Sequence, residues 1–206
     1  MSYPSPIQKL IDLFTRFPGI GPRQASRFAF YLLGEDPKTV RALAENITEL
    51  QKRVGFCAQC YASVERKDAS RNLLCEYCRK QDREEALIMV VEKEADLSNI
   101  EKTKKFNGLY HVLGGTIDPL DSSAPGRLHI KELFERAKEL KENGGGVEVI
   151  LATNATTEGD GTALYLERVL RPLEIKVSRL GRGLTTGTEL EYSDEMTIIN
   201  ALANRK

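Results

Sequence analysis

The 206-residue chain has no net charge, thirty lysines and arginines standing against thirty aspartates and glutamates. A polyanion such as a nucleic acid meets no long-range attractive field from the whole molecule, so any site for one must be a local patch. Long apolar runs are missing as well. The longest, residues 87–91 and 147–152, fall far short of a bilayer's thickness, and residues 1–10 lack the apolar centre of a signal peptide. A cytoplasmic protein with no membrane partner is expected. No Gly-x4-Gly-Lys-Ser/Thr occurs, so the glycine runs at Gly114-Gly115, 144–146 and 181–187 read as turns rather than phosphate loops. There are two histidines, His111 within a predicted strand and His129 in a loop, and neither has a serine or cysteine partner for nucleophilic catalysis. Internal repeats and low-complexity segments are absent.

What is present begins with three helical patterns. Ile7, Leu10, Ile11, Phe14 and Phe17 recur at helical spacing until Pro18-Gly19 breaks the run. Pro22 suits the first turn of a second helix, with Ala25, Phe28, Ala29, Leu32 and Leu33 as its apolar positions and Gly34 as its end. Asp36 then caps a third, whose stripe of Val40, Leu43, Ala44, Ile47 and Leu50 is expected to be buried. Between the first two helices, Phe17-Pro18-Gly19-Ile20-Gly21 makes a turn whose glycines, Gly19 and Gly21, let a ligand approach the backbone, beside the N-terminal amides of the second helix. Lys9, Arg16, Arg23 and Arg27 oppose Asp12 alone over residues 1–33, so the local charge is positive. The pattern resembles the helix-hairpin-helix family, which holds DNA by its backbone without reading bases. The competing reading is a helical hairpin used only for packing, its arginines solvated.

All four cysteines fall in residues 57–78, a polar stretch too poor in apolar residues to form a core of its own. Cys57-x2-Cys60 and Cys75-x2-Cys78 are two close pairs of soft ligands, fourteen residues apart, and each pair can straddle one side of a tetrahedral zinc ion. With all four used, no coordination position stays open for water, which points to a structural C4 zinc finger. The alternatives are redox pairs or unliganded buried thiols.

Beyond the cysteines, apolar runs at 87–91, 109–113, 147–152 and 175–178 read as strands. Helical patterns separate most of them, through Leu133, Phe134, Ala137 and Leu140, and through Ala163, Leu164, Val169 and Leu170. This alternation predicts a Rossmann-like, mostly parallel α/β sheet. A short strand around 190–192 and a last helix capped by Asp194 complete the chain. In such sheets ligands collect beyond the carboxyl ends of the strands. There the sequence places Glu92 and Asp96, and later Thr153-Asn154-Ala155-Thr156-Thr157-Glu158-Gly159-Asp160. The arrangement resembles the Toprim domain of topoisomerases and primases, where a glutamate and a pair of aspartates handle Mg²⁺ and phosphoryl transfer. The positions matching those aspartates are Asn154 and Thr156, which leaves Glu92, Asp96, Glu158 and Asp160 to hold a weakly bound Mg²⁺ or a partner, or to serve as solvated loop residues and caps.

A helix-hairpin-helix, a four-cysteine site and a degenerate Toprim domain, in that order, resemble the RecR family of recombination mediators over essentially the whole chain. Tyr110-His111-Val112-Leu113-Gly114-Gly115, Ile117-x-Pro119-Leu120-Asp121 and Ser178-Arg179-Leu180-Gly181-Arg182-Gly183-Leu184 carry the likeness, followed by Leu190-Glu191-Tyr192 and Asp194-Glu195. Thr185-Thr186 departs from it at a position where proline is usual. The resemblance implies a multidomain α/β protein divided into a DNA-binding hairpin region (1–56), the zinc finger (57–78), the Toprim domain (80–178) and a C-terminal segment of strand and helix for oligomerisation or packing (179–206). It implies a non-enzymatic, nucleoid-associated role in recombinational DNA repair, with RecO and in some settings RecF, helping RecA assemble on gapped single-stranded DNA coated by single-strand-binding protein. It also implies a ring-like homotetramer with the hairpin arginines facing the central hole. Four converging copies of one small basic patch would let a neutral protein hold DNA. The enzymatic alternative is a Mg²⁺-dependent Toprim nuclease or primase; a zinc-stapled adaptor that binds only proteins is the third class.

Overall fold

The structure is a computed structural model and describes residues 3–66, 72–118, 124–144 and 146–205. Pro119, Leu120 and Asp121 of the family-like stretch, and Gly145 of the central glycine run, lie outside the described residues. The chain divides into two compact units, 1–54 and 55–206.

The first unit is helical. Helices α1 (Ser5–Phe14) and α2 (Pro22–Gly34) form a hairpin, and α3 (Pro37–Arg53) follows at once. Ala25 and Ala29 of α2 are small enough for Ile11 of α1 to seat against them, and Ile7, Phe14 and Ile20 close around this core. The start of α3 follows its sequence signal, since the Asp36 carboxylate accepts from the Lys38 N–H at 2.7 Å and Pro37 occupies the first turn. Its apolar stripe does not do what the periodicity predicts. No residue of α3 is buried, and Ile47 and Leu50 are 62% and 61% exposed. The stripe instead borders an open apolar groove of about 710 Å³ whose other side is Leu10, Leu13 and Phe17 of the hairpin. A 3.6-residue period marks a face that can be covered, and nothing described in this unit covers it.

The second unit is built on four parallel strands in the order β4-β3-β5-β6. They are β3 (Glu84–Val91), β4 (Gly108–Val112), β5 (Glu148–Ala152) and β6 (Lys176–Arg179), preceded by a small pair, β1 (Val54–Phe56) and β2 (Ser63–Glu65), and the short helix α4 (Glu76–Arg79). Crossovers are made by α5 (Glu94–Lys102), α6 (Ile130–Glu142) and α7 (Thr157–Leu170). Alternate residues of β3 serve two different cores, as the strand period of two requires. Ile88 and Val90 join Leu133 of α6 and Leu166 of α7 in one. Met89 and Val91 join Leu97 of α5, Tyr110, and the buried cysteines in the other. The cysteine segment is therefore the second layer over β3 and β4, where a doubly wound sheet would carry more helix.

At the carboxyl end of the chain, residues 190–192 form a single 3₁₀ turn rather than the expected strand. Local bonds from Tyr192 N–H to the Glu189 carbonyl and from Ser193 N–H to that of Leu190 satisfy the backbone without a ladder partner. The last helix, α8 (Glu195–Ala203), is capped by Asp194, which accepts from the Thr197 N–H at 2.9 Å and its hydroxyl at 2.7 Å. No helix among the described residues is long and apolar enough to cross a membrane.

Candidate nucleic-acid interface and metal centre

The hairpin turn is set by one residue. Gly19 has φ +76°, in the left-handed region, and the Ile20 N–H closes the turn on the Phe17 carbonyl at 3.1 Å. Gly21 has φ −83° and is the N-cap of α2, its carbonyl accepting from Gln24 and Ala25. A side chain added at either glycine would meet nothing within 4 Å, so this stretch of backbone lies open to an incoming group. Lys9, Arg16, Arg23 and Arg27 are all exposed, and none makes an ion pair among the described residues. Their one acidic neighbour in sequence, Asp12, accepts instead from Gln8 at 2.9 Å. A helix N-terminus, open amides and unopposed guanidinium groups are the chemistry that receives a phosphate oxygen. Because only Gly19 needs positive φ, Gly19→Ala is expected to lower the stability of the helical unit by about 1–2 kcal/mol. Gly21→Ser, which supplies a better cap at an ordinary φ, is expected to cost nothing. Denaturant unfolding of the two variants checks this, and equal losses would place the strain elsewhere.

The four cysteine sulfurs lie within 4.8 Å of one another. Tetrahedral zinc–thiolate bonds of about 2.3 Å place sulfurs a little under 4 Å apart, so the cluster fits one such ion. Cys57 and Cys60 are completely buried and Cys75 nearly so. Two backbone N–H groups already point at sulfur, Cys75 N to Cys57 Sγ and Cys78 N to Cys75 Sγ, both at 3.4 Å, as thiolate ligands require. The first knuckle turns through Tyr61 at φ +64°, with Cys57 N–H bonded to the Ala62 carbonyl at 2.8 Å. Hydrogen bonding from Cys60 and the other two cysteines pulls the Cys57 thiol far below the usual range, while Cys57 acting on Cys60 pushes that thiol up. Four thiolate ligands would fill a tetrahedral ion and leave it a structural element.

The knuckles are bolted to the sheet. Arg136 of α6 donates from one Nη1 to the Gln59 carbonyl at 3.1 Å and the Tyr110 carbonyl at 2.8 Å, and the Val112 N–H bonds the Cys60 carbonyl at 2.8 Å. On the other side, the nearly buried Arg83 donates to the Gly108 carbonyl at 2.8 Å and to Glu101, with its guanidinium over the rings of Tyr77 and Tyr110. These contacts satisfy the outer edge of β4, which would otherwise expose an unpaired ladder.

The four carboxylates at the strand ends do not converge. Among the described residues the four cysteines are the one gathering of three or more metal-ligating groups, and Glu92, Asp96, Glu158 and Asp160, the residues left for a weakly bound Mg²⁺ or a partner or for loop and capping roles, do not form another. Glu92 is 2% exposed, and Asn154 meets both its oxygens, with the backbone N–H at 2.7 Å and Nδ2 at 2.5 Å. An aspartate at 154 would press a second negative charge against Glu92 and call for a cation between them; the neutral amide supplies donors directly. Gly159 is needed beside this pair, since a side chain there would sit 2.2 Å from the Asn154 carbonyl oxygen. Thr156, at the other aspartate position, is the N-cap of α7 and accepts from the Gly159 N–H at 3.1 Å. Asp96 accepts from the Lys93 N–H at 3.0 Å at the start of α5, Glu158 is exposed, and Asp160 faces Arg179 and Arg182.

Comparison with known proteins covers the same ground. Family profiles match at residues 7–50 for "RecR, helix-hairpin-helix", 86–181 for "Toprim domain" and 186–206 for "RecR, C-terminal". The Recombination protein RecR of Nocardioides sp. is 44% identical over 204 residues, covering 99% of this chain and 98% of the relative. The chain belongs to the RecR family. The Recombination proteins RecR of Cutibacterium acnes and Streptococcus mutans are 42% and 40% identical, over 98% and 100% of this chain and 96% and 98% of theirs. Within this RecR family member, Gly19, Gly21, Arg23 and Arg27 lie in the matched hairpin segment, while Glu92 and Asn154 lie in the matched Toprim segment.

Several residues that matter carried no clear sequence signal. Nothing in the sequence singles out Arg83 or Arg136, because their partners Glu101, Gly108, Gln59 and Tyr110 lie far along the chain. Helix α5 carries little sequence signal, because its apolar residues are few and its N-cap, Lys93, has no side-chain acceptor; only the Asp96 carboxylate, accepting from the Lys93 N–H, closes its start. His111, a lone histidine of the kind that serves packing or the surface, is fully buried, with Nε2 donating to the His129 carbonyl at 2.7 Å and Nδ1 without a partner among the described residues. Tyr61 stands edge-on to it and stacks on the His129 ring at 3.8 Å, with Arg136 close by. Burial, with the nearby positive charge, lowers the His111 pKa to about 3. The folded protein thus keeps His111 neutral where an unfolded chain, with its pKa near 6.5, takes up a proton. This contribution is complete above pH 6.5 and is lost as pH falls toward 3, with a slope of up to about 1.4 kcal/mol per pH unit. His111→Gln keeps a donor but does not titrate, so its stability should fall less steeply than the parent's between pH 6 and 4 in denaturant titrations. Parallel curves would remove His111 as the cause.

Proposed function

We propose that this chain is a non-catalytic, DNA-binding mediator in recombinational DNA repair, holding DNA by its phosphate backbone through the α1–α2 hairpin. The observation that carries the reading is the Gly19 turn, with open backbone beside Arg23 and Arg27, two exposed guanidinium groups that no carboxylate engages among the described residues. Membership of the RecR family supports the wider role: action with RecO, and in some settings RecF, in helping RecA assemble on gapped DNA coated by single-strand-binding protein. The ion held by Cys57, Cys60, Cys75 and Cys78 is read as structural zinc, and the setting as the cytoplasmic nucleoid.

Assembly into a ring-like tetramer is supported by apolar surface left uncovered in both terminal regions, along the groove beside α3 and on Met196, Ile199 and Leu202 of α8. The absence of turnover is supported by the Glu92–Asn154 pairing, which takes up the carboxylate that a Toprim enzyme would give to its metal. Titrating labelled single- and double-stranded oligonucleotides at two salt concentrations tests the reading: binding should be indifferent to base sequence and weaken steeply with salt. Salt-independent binding, or none, would favour the adaptor. Cleavage or primer synthesis with Mg²⁺ that Glu92→Gln abolishes would favour the enzyme.

A further inference from the structure

The carboxylate of Asp160 has a use that neither metal binding nor DNA binding requires. It lies in the first turns of α7, and Arg182, twenty-two residues later, donates to both its oxygens, at 3.0 and 2.5 Å. Arg179 adds a third contact at 3.3 Å and is itself held by Glu167 at 2.8 Å. The chain then continues directly into the C-terminal segment. The Arg182 carbonyl accepts from Asn204 Nδ2 at 3.0 Å, and the same Nδ2 bonds the Asn200 carbonyl at 2.9 Å at the end of α8. Gly183 lies against Ala201 of α8, close enough that a side chain on it would touch at 3.7 Å. One line of contacts thus runs from α7 through Asp160, Arg182 and Asn204 to α8. Apolar burial contributes little alternative anchorage, because no residue of α8 is buried.

We propose that Asp160 and Arg182 form a latch that fixes the C-terminal segment to the sheet domain, and that this, rather than cation binding, is the role of the Asp160 carboxylate. A bidentate guanidinium–carboxylate pair fixes direction as well as distance, so it sets where α8 presents Met196, Ile199 and Leu202. The neighbouring guanidinium of Arg182 holds the Asp160 carboxyl below its ordinary range.

Amide hydrogen exchange on the full, metal-loaded chain tests the latch. Arg182→Ala leaves α7 untouched, whereas Asp160→Asn also removes a charge from a helix start, so both are needed. Each is expected to speed exchange of the α8 amides by roughly fivefold, with amides of β3 and β5 unchanged. The double variant should exchange no faster than either single one, as for two members of one interaction. Millimolar Mg²⁺ should leave wild-type exchange as it was. The proposal fails if Arg182→Ala leaves α8 unaltered, if the two effects simply add, or if Mg²⁺ by itself loosens α8 in the wild type.

Discussion

Removing the metal from the cysteine cluster, or replacing Cys57 with serine, is expected to unfold far more than residues 57–78. Cys57, Cys60 and Cys75 share one core with Met89, Val91, Tyr110 and Val112, so the cysteine layer is what keeps that face of β3 and β4 from water. A structural zinc site contributes an apparent folding free energy of about 10–16 kcal/mol at neutral pH, while a typical domain has a net stability of about 5–15 kcal/mol. Loss of the ion therefore outweighs what the rest of the unit can supply. Chelation should abolish exchange protection in β3 and β4, expose apolar surface to a hydrophobic dye, and lower solubility, while the amides of α1 and α2 retain their protection. Elemental analysis of the native protein should find one zinc per chain. A Cys57→Ser protein with wild-type thermal stability and wild-type protection in β4 would show that packing and the Arg83 and Arg136 contacts hold the layer without a metal.

The second large effect concerns DNA. Arg23→Ala combined with Arg27→Ala removes two exposed charges that make no ion pair among the described residues, so folding, zinc content and subunit number should be unchanged. Each lost phosphate contact reduces the slope of log affinity against log salt by roughly 0.7–0.9, so the double change should flatten it by roughly 1.4–1.8 for each chain touching the DNA. Affinity should fall alike for all base sequences, because backbone contacts carry no sequence information. Binding unchanged at every salt concentration would reduce the hairpin to a packing element and move the DNA site to the carboxyl ends of the strands.

The features legible in the sequence were those that depend on residues close together in the chain. Pro18-Gly19 had to break a helix, Asp36 and Asp194 had to cap one, and paired Cys-x2-Cys knuckles had to face a common ligand. The runs of β3, β4 and β5 were legible because a strand covered on both faces is largely apolar, whereas the edge strand β6, Lys176–Arg179, has no buried residue and was marked only by Ile175 and Val177. The 3₁₀ turn at 190–192 shows the limit of that logic: alternating residues permit a strand, but a strand exists only where another one offers a ladder.

Sequence alone thus determined the order of modules, the glycine turn and the pairing of the four cysteines that cluster in the fold, since spacing along the chain marks each of them. Only the tertiary structure decided what depends on segments far apart in sequence. It placed the cysteine layer on β3 and β4, left the stripe of α3 uncovered, joined Glu92 to Asn154 sixty-two residues away, and turned Asp160 toward Arg182. The physical reason is that a carboxylate has the same formula whether it meets a cation, an amide or a guanidinium. Its chemistry is fixed by the partner that the fold delivers within about 3 Å.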